Sequence, residues 1–125
     1  MTHPGKGRSG LDRVRHATLN SLAGLRTAWR HEAAFRQEAW LLAAAVPAAA
    51  WLADGLLTFV LLVGAVLLVL IVELLNSGIE AAIDRVSDET HELSRRAKDM
   101  ASAAVMLSLL LCATVWLVVL LQRLG

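Results

Sequence analysis

Apolar residues recur along this chain at helical spacing. Leu11, Val14, Thr18, Leu22, Leu25 and Trp29 follow one another at intervals of three and four, which predicts an amphipathic helix over about 11–29. Three apolar runs come after it. Residues 39–53 (AWLLAAAVPAAAWLA) are short and alanine-rich, and reach spanning length only when extended back over Glu32, Arg36 and Glu38. Pro47 is expected to kink that helix, which neighbouring helices tolerate. Residues 56–72 carry no charge, and the helical pattern continues to about Arg85. Such a helix is roughly 45 Å long against the ~30 Å of a hydrocarbon layer, so one polar end must emerge at an interface. Residues 100–121 are again free of charge and reach the ~20 residues a span needs. The prediction is a surface helix followed by membrane helices over about 32–53, 56–84 and 97–122.

Composition agrees. The chain has 125 residues, is 57% hydrophobic and has a mean hydropathy of +0.58, too apolar for an ordinary soluble domain. Its length suits a single domain over 11–125, after a disordered tail over 1–10. The lone Cys112 excludes an intramolecular disulfide, and no zinc spacing is present. The early AAAVPAAAWLA stretch is not read as a signal peptide, because a long segment with acidic residues precedes it and two further spans follow.

Charge orients the chain. Lys6, Arg8, Arg13, Arg15, Arg26 and Arg30 crowd the first 31 residues against only Asp12. The loop near Asp54 and Gly55 has no basic residue, whereas the one near 84–99 has Arg85, Arg95, Arg96 and Lys98. The basic segments belong on the cytoplasmic side, with the C-terminus outside. The basic face of the first helix is expected to meet lipid phosphates, and no nucleic-acid partner is expected.

Two motifs mislead. GKGRSG at 5–10 matches a dinucleotide fingerprint letter for letter but follows no strand and opens no βαβ unit. HEAAF at 31–35 is not a zincin motif, because Phe35 stands where the second histidine belongs. There is no Walker A sequence.

The chemistry lies in IVELLNSGIEAAIDR, residues 71–85. At about 100° per residue Glu73, Glu80 and Asp84 share one face, with Asn76 to its side. Ionisable groups in a span usually face a bundle interior or a cavity, and they go beyond what packing requires. Two carboxylates at a phosphate-rich interface can hold Mg²⁺. A deeper one can serve as general base. Lys98 and nearby arginines can neutralise a transferring phosphate. Metal, base and cationic clamp are the parts of phosphoryl transfer.

NSLAGLRTAWRHEAAFRQE (20–38), IVELLNSGIEAAIDR (71–85) and HELSRRAKDMASAAV (91–105) together resemble the prokaryotic diacylglycerol kinase family, over nearly the whole chain from Leu11. The resemblance implies an all-α membrane protein of one surface helix and three transmembrane helices, assembled as a homotrimer in the bacterial inner membrane. It implies transfer of the ATP γ-phosphate to a lipid hydroxyl with Mg²⁺, giving phosphatidic acid, at the cytoplasmic interface. Carried over by motif, Glu73 is the general base, Glu32 and Glu80 are metal ligands, and Asn76 orients the site. ATP contacts fall to Arg13, Asn20, Glu32, Glu80, Glu89, Thr90, His91, Lys98 and Asp99. Lipid contacts fall to Arg13, Ser21, Arg26, Trp29, Ala34, Phe35, Arg36, Gln37, Glu38, Trp51, Asp54, Phe59, Glu73 and Ser102. The chain differs from common family patterns at Arg95–Arg96 and Leu19–Asn20.

Two rival functions are distinguishable. An undecaprenol kinase would use the same machinery, although HEAAFRQE and HELSRRAKDMASAAV resemble the diacylglycerol branch. A small channel or transporter would need acids through the full membrane depth, and residues 56–72 and 100–121 carry none.

Overall fold

The computed structural model describes residues 9–86 and 91–125, and among them it contains four α-helices. Helix α1 spans Gly10–His31, α2 Ala33–Leu52, α3 Leu56–Val86 and α4 Glu92–Leu124. The expected Glu89 and Thr90 contacts, and residues 1–8 of the expected tail, lie outside the described residues. The rest of that tail is helix start. Ser9 is the N-cap of α1, its Oγ accepting from the Asp12 N–H at 3.3 Å, and Gly10 is the first helical residue. Asp12 in the first turn and Arg30 and His31 in the last complement the helix dipole.

The chain turns at one residue. Glu32 alone leaves helical geometry (φ −118°, ψ 106°), and it separates α1 from α2. Its N–H still bonds the Ala28 carbonyl at 2.9 Å, and its own carbonyl accepts from the Arg36 N–H at 3.2 Å. The Arg36 guanidinium reaches back to the carbonyls of Trp29 at 2.7 Å and Arg30 at 3.3 Å. Those carbonyls belong to the last turn of α1, where no intrahelical partner is available. Trp29 and Trp40 meet across the elbow with ring centroids 6.1 Å apart.

Helix α3 is the centre of the bundle, packing on both α2 and α4, while α1 touches chiefly α2. The short turn over 53–55 makes α2 and α3 an antiparallel pair. Two apolar clusters hold them. One joins Ala28, Phe35 and Ala45 to Val66 and Leu70 below the elbow. The other joins Ala49, Leu52 and Leu62 near the turn, with Phe59 against it. Trp116 of α4 packs on both clusters, and its indole N–H donates to the Leu62 carbonyl at 3.0 Å. Ser108 and Thr114 return their hydroxyl protons to carbonyls of their own helix, so neither offers an open donor to lipid.

Trp116→Phe removes one interhelical hydrogen bond and keeps the ring. It is expected to lower stability by less than about 1 kcal/mol. Trp116→Ala also empties both clusters and is expected to lose about 3–5 kcal/mol. Thermal midpoints in detergent separate the two, with only the alanine variant falling by many degrees.

Helices α3 and α4 are long and apolar enough to cross a membrane. Much of their apolar surface faces outward, including Leu107, Leu110, Leu117 and Leu121 of α4. Water would not tolerate that patch, and lipid would. Helix α2 is 20 residues long, with Arg36 and Glu38 in its first two turns.

Candidate active site

Leu70 packs beneath the elbow, so the next turn of α3 carries Glu73 to the level where α1 meets α2. Glu73 is 6% exposed, the one buried carboxylate among the described residues. The elbow brings it company. Glu73 lies within repulsive range of Glu32 and Glu80, and Glu38 lies within repulsive range of Glu73. Four carboxylates from three places in the chain thus share one neighbourhood. Like charges so gathered oppose folding unless a cation or a proton offsets them, an arrangement typical of functional sites.

Two inward oxygens add to this. Glu38 Oε2 and Asn76 Oδ1 are buried and accept no hydrogen bond from the described residues. Buried acceptors are normally paired, so these mark spare capacity for a hydroxyl or a hydrated cation. Among the described residues no three acidic, histidine or cysteine side chains converge into a ready metal cage. Two carboxylates, Glu32 and Glu80, beside a third suit a hard cation that keeps its waters and arrives with a phosphate.

A cavity of about 590 Å³ opens between α1 and α3. Ser21, Gly24, Leu25 and Ala28 line it from α1, and Glu32 from the elbow. Leu74, Ser77, Gly78 and Ala81 form the α3 wall. Glu73 does not line it. Leu74 is its chain neighbour and Ser77 lies one turn on, so the acid sits at the cavity's edge.

Farther along α3 the face continues to Asp84. Its carboxylate accepts from Lys98 Nζ at 2.9 Å, which ties the end of α3 to the start of α4. Both side chains reach solvent, so the pair chiefly places the ammonium rather than stabilising the fold. Arg95 bonds Glu92 at 2.8 Å and lies 3.8 Å from Asp99. His91 caps α4, its Nδ1 accepting from the Leu93 N–H at 3.1 Å.

The structure brings some expected residues together and not others. Glu32, Glu38 and Glu80 each lie within charge range of Glu73, and Asn76 is on the same stretch of α3. Lys98 reaches the end of that stretch through Asp84. Ser21 shares the cavity with Glu32. Arg13, Asn20 and Arg26 stand exposed on α1, as do Ala34 and Gln37 on α2 and Ser102 on α4. Phe35 is only 5% exposed and packs in the core, and Arg36 is engaged with the end of α1. Trp51, Asp54 and Phe59 lie toward the opposite end of the bundle. The helical rise from Leu56 to Glu73 is about 26 Å. There Asp54 shares a separate pocket of about 210 Å³ with Thr58, Gln122 and Arg123. Asp84 belongs to the face expected from the sequence, and its pairing with Lys98 is what the structure adds; Gly24, Ser77 and Gly78 line the cavity without having been expected there. Asp84 was signalled by its place on the Glu73–Glu80 face, but the cavity lining had no signal in the one-dimensional pattern.

Comparison with known proteins bears on this geometry. The profile of a family described as prokaryotic diacylglycerol kinase matches residues 19–120. The chain is 48% identical over 117 residues to a diacylglycerol kinase of Escherichia coli (strain K12), covering 94% of this chain and 96% of that one. It is 48% identical over 118 residues to a diacylglycerol kinase of Pseudomonas aeruginosa, with the same coverage of 94% and 96%. A Haemophilus influenzae diacylglycerol kinase is 41% identical over 108 residues, 86% of this chain and 92% of that one. The match runs from the middle of α1 to the last turns of α4 and takes in the whole carboxylate cluster, and this chain belongs to the prokaryotic diacylglycerol kinase family.

Proposed function

We propose that this lipid kinase moves the γ-phosphate of ATP to the free hydroxyl of diacylglycerol, releasing phosphatidic acid and ADP at the cytoplasmic face of the bacterial inner membrane. The observation that carries the reading is buried Glu73 within charge range of Glu32 and Glu80, next to a cavity that Glu32 lines. Helix α2 is the third span, with Arg36 and Glu38 near the interface. Three short spans leave much apolar surface uncovered, and a homotrimer covers part of it.

In this reaction Glu73 accepts the proton of the lipid hydroxyl. The freed oxygen forms its bond to the γ-phosphorus as the bond from phosphorus to the bridging oxygen of ADP breaks. ADP leaves with that electron pair. Asn76 holds the acceptor in line, Lys98 faces the phosphates, and Arg13 is a further ATP contact. Glu32 and Glu80 would hold Mg²⁺, which would supply positive charge against the nucleotide's phosphates. Placing Glu73 deeper than Glu80 suits this division, because the lipid hydroxyl comes from the membrane and the nucleotide from water.

The test is phosphate transfer from labelled ATP by purified protein in mixed micelles with Mg²⁺, offering diacylglycerol and undecaprenol side by side. Labelled phosphatidate is the expected product. Label on undecaprenol alone would move the substrate and keep the machinery. Folded protein that labels neither lipid would overturn the reading.

A further inference from the structure

Charged side chains crowd the end of α3 and the start of α4, and they divide between two sets of partners. Arg95 is engaged along its own helix, bonding Glu92 at 2.8 Å and lying 3.8 Å from Asp99. Lys98 crosses to α3 instead, where its ammonium donates to Asp84 Oδ1 at 2.9 Å. Among the described residues this is the one ion pair that joins two helices. The same crossing brings Lys98 within attractive range of Glu80. Asp84 stands one helical turn beyond Glu80 on the same face, a rise of about 6 Å.

The chemistry of lysine says what such an anchor does. An unheld lysine spreads its ammonium over many rotamers of a flexible stem. Bonded to Asp84, the charge stays at the Glu80 end of α3. An ammonium has three N–H donors, and Asp84 takes one of them. The remaining donors are open to phosphate oxygens, so the anchor need not let go when a nucleotide arrives. Asp84 itself stands apart from the acids around the base. Glu73 feels Glu32 and Glu80, whereas Asp84 lies farther along the helix with its charge offset by the ammonium.

We infer that Asp84 is a positioning residue for phosphoryl transfer, holding the Lys98 ammonium one turn from Glu80 so that the nucleotide's phosphates meet a charge already in place. This rests on the kinase reading above. Asp84 touches neither substrate and acts through Lys98.

The experiment measures labelled phosphatidate in mixed micelles for wild type, Asp84→Asn, Asp84→Glu, Lys98→Ala and the double variant Asp84→Asn with Lys98→Ala. Circular dichroism and thermal midpoints check the fold. Asp84→Asn is expected to raise KM for ATP about fivefold, the scale of one exposed ion pair, with kcat and KM for diacylglycerol unchanged. Asp84→Glu keeps the charge and should recover most of the loss. Lys98→Ala should cost more than Asp84→Asn, because it removes the cation itself. In the Lys98→Ala background Asp84→Asn should cost nothing further, since a residue that acts through another loses its effect with it. Additive losses would overturn the inference and give Asp84 a role of its own. A lower KM for ATP in Asp84→Asn would overturn it too, because the carboxylate would then be competing with phosphate for the ammonium. A fallen thermal midpoint with KM raised for ATP and lipid alike would reduce the pair to a tie between helices. An Asp84→Asn enzyme that matches wild type in every constant would overturn the inference and leave the kinase reading standing. Wild-type protein that labels no lipid would remove both.

Discussion

Glu73→Gln is expected to lower kcat for lipid phosphorylation by about 10²–10⁴-fold, the usual contribution of a positioned general base. Glutamine keeps the size and shape of the side chain. Its amide cannot accept the hydroxyl proton as a carboxylate does. Because Glu73 is buried in a packed bundle, a larger change would confound chemistry with folding, and this substitution avoids that. KM for ATP should move little, since Glu73 lies deeper than the carboxylates assigned to the nucleotide's cation. Glu73→Asp should fall between the two, because the acid is retained but drawn back by one methylene. Stability offers a second readout. Glu73 repels Glu32 and Glu80, so removing its charge should leave the thermal midpoint unchanged or raise it. A folded Glu73→Gln enzyme with wild-type turnover would reduce this face to packing.

The next largest effect is expected from Glu32 and Glu80. Glu32→Gln and Glu80→Gln should each raise the Mg²⁺ concentration for half-maximal rate and lower kcat/KM for ATP by about 10²–10³-fold, comparable to losing one charge-stabilising group. The two residues lie far apart in sequence but both act on Glu73. If they hold one ion, the double variant should lose far less than the product of the single losses, because groups that act as a unit are non-additive. A titration of rate against Mg²⁺ in all four proteins decides this. Multiplied losses would mean separate roles, and an unaltered Mg²⁺ dependence would remove both residues from the metal.

Much of the architecture was legible because it is local. The three-and-four spacing from Leu11 to Trp29 corresponds to α1 at Gly10–His31, and the long apolar runs to α3 and α4. Ser9, within the expected tail, caps α1, a one-residue matter of hydrogen bonding that hydrophobic periodicity does not register. Glu73, Asn76, Glu80 and Asp84 could be placed on one stretch of α3 because helical rise and rotation are constants of the backbone.

Arg36 shows what local pattern leaves out. The resemblance implies a lipid contact there and at Phe35; what the structure adds is that the Arg36 guanidinium caps the last turn of α1 through the Trp29 and Arg30 carbonyls, and that the Phe35 ring packs in the core. Both outcomes depend on the elbow at Glu32, a residue with no special turn propensity. Once the chain bends there, residues near 28–38 fall against residues near 66–74.

What the sequence alone determined is the set of helices, their apolar faces and the polar stretch of α3, since each depends on neighbours within a few residues. The tertiary structure decided which acids meet, which side chains are consumed in holding the elbow, and where two glycines and a serine leave a cavity. Those depend on residues roughly fifty positions apart coming into contact, and no local periodicity encodes that distance.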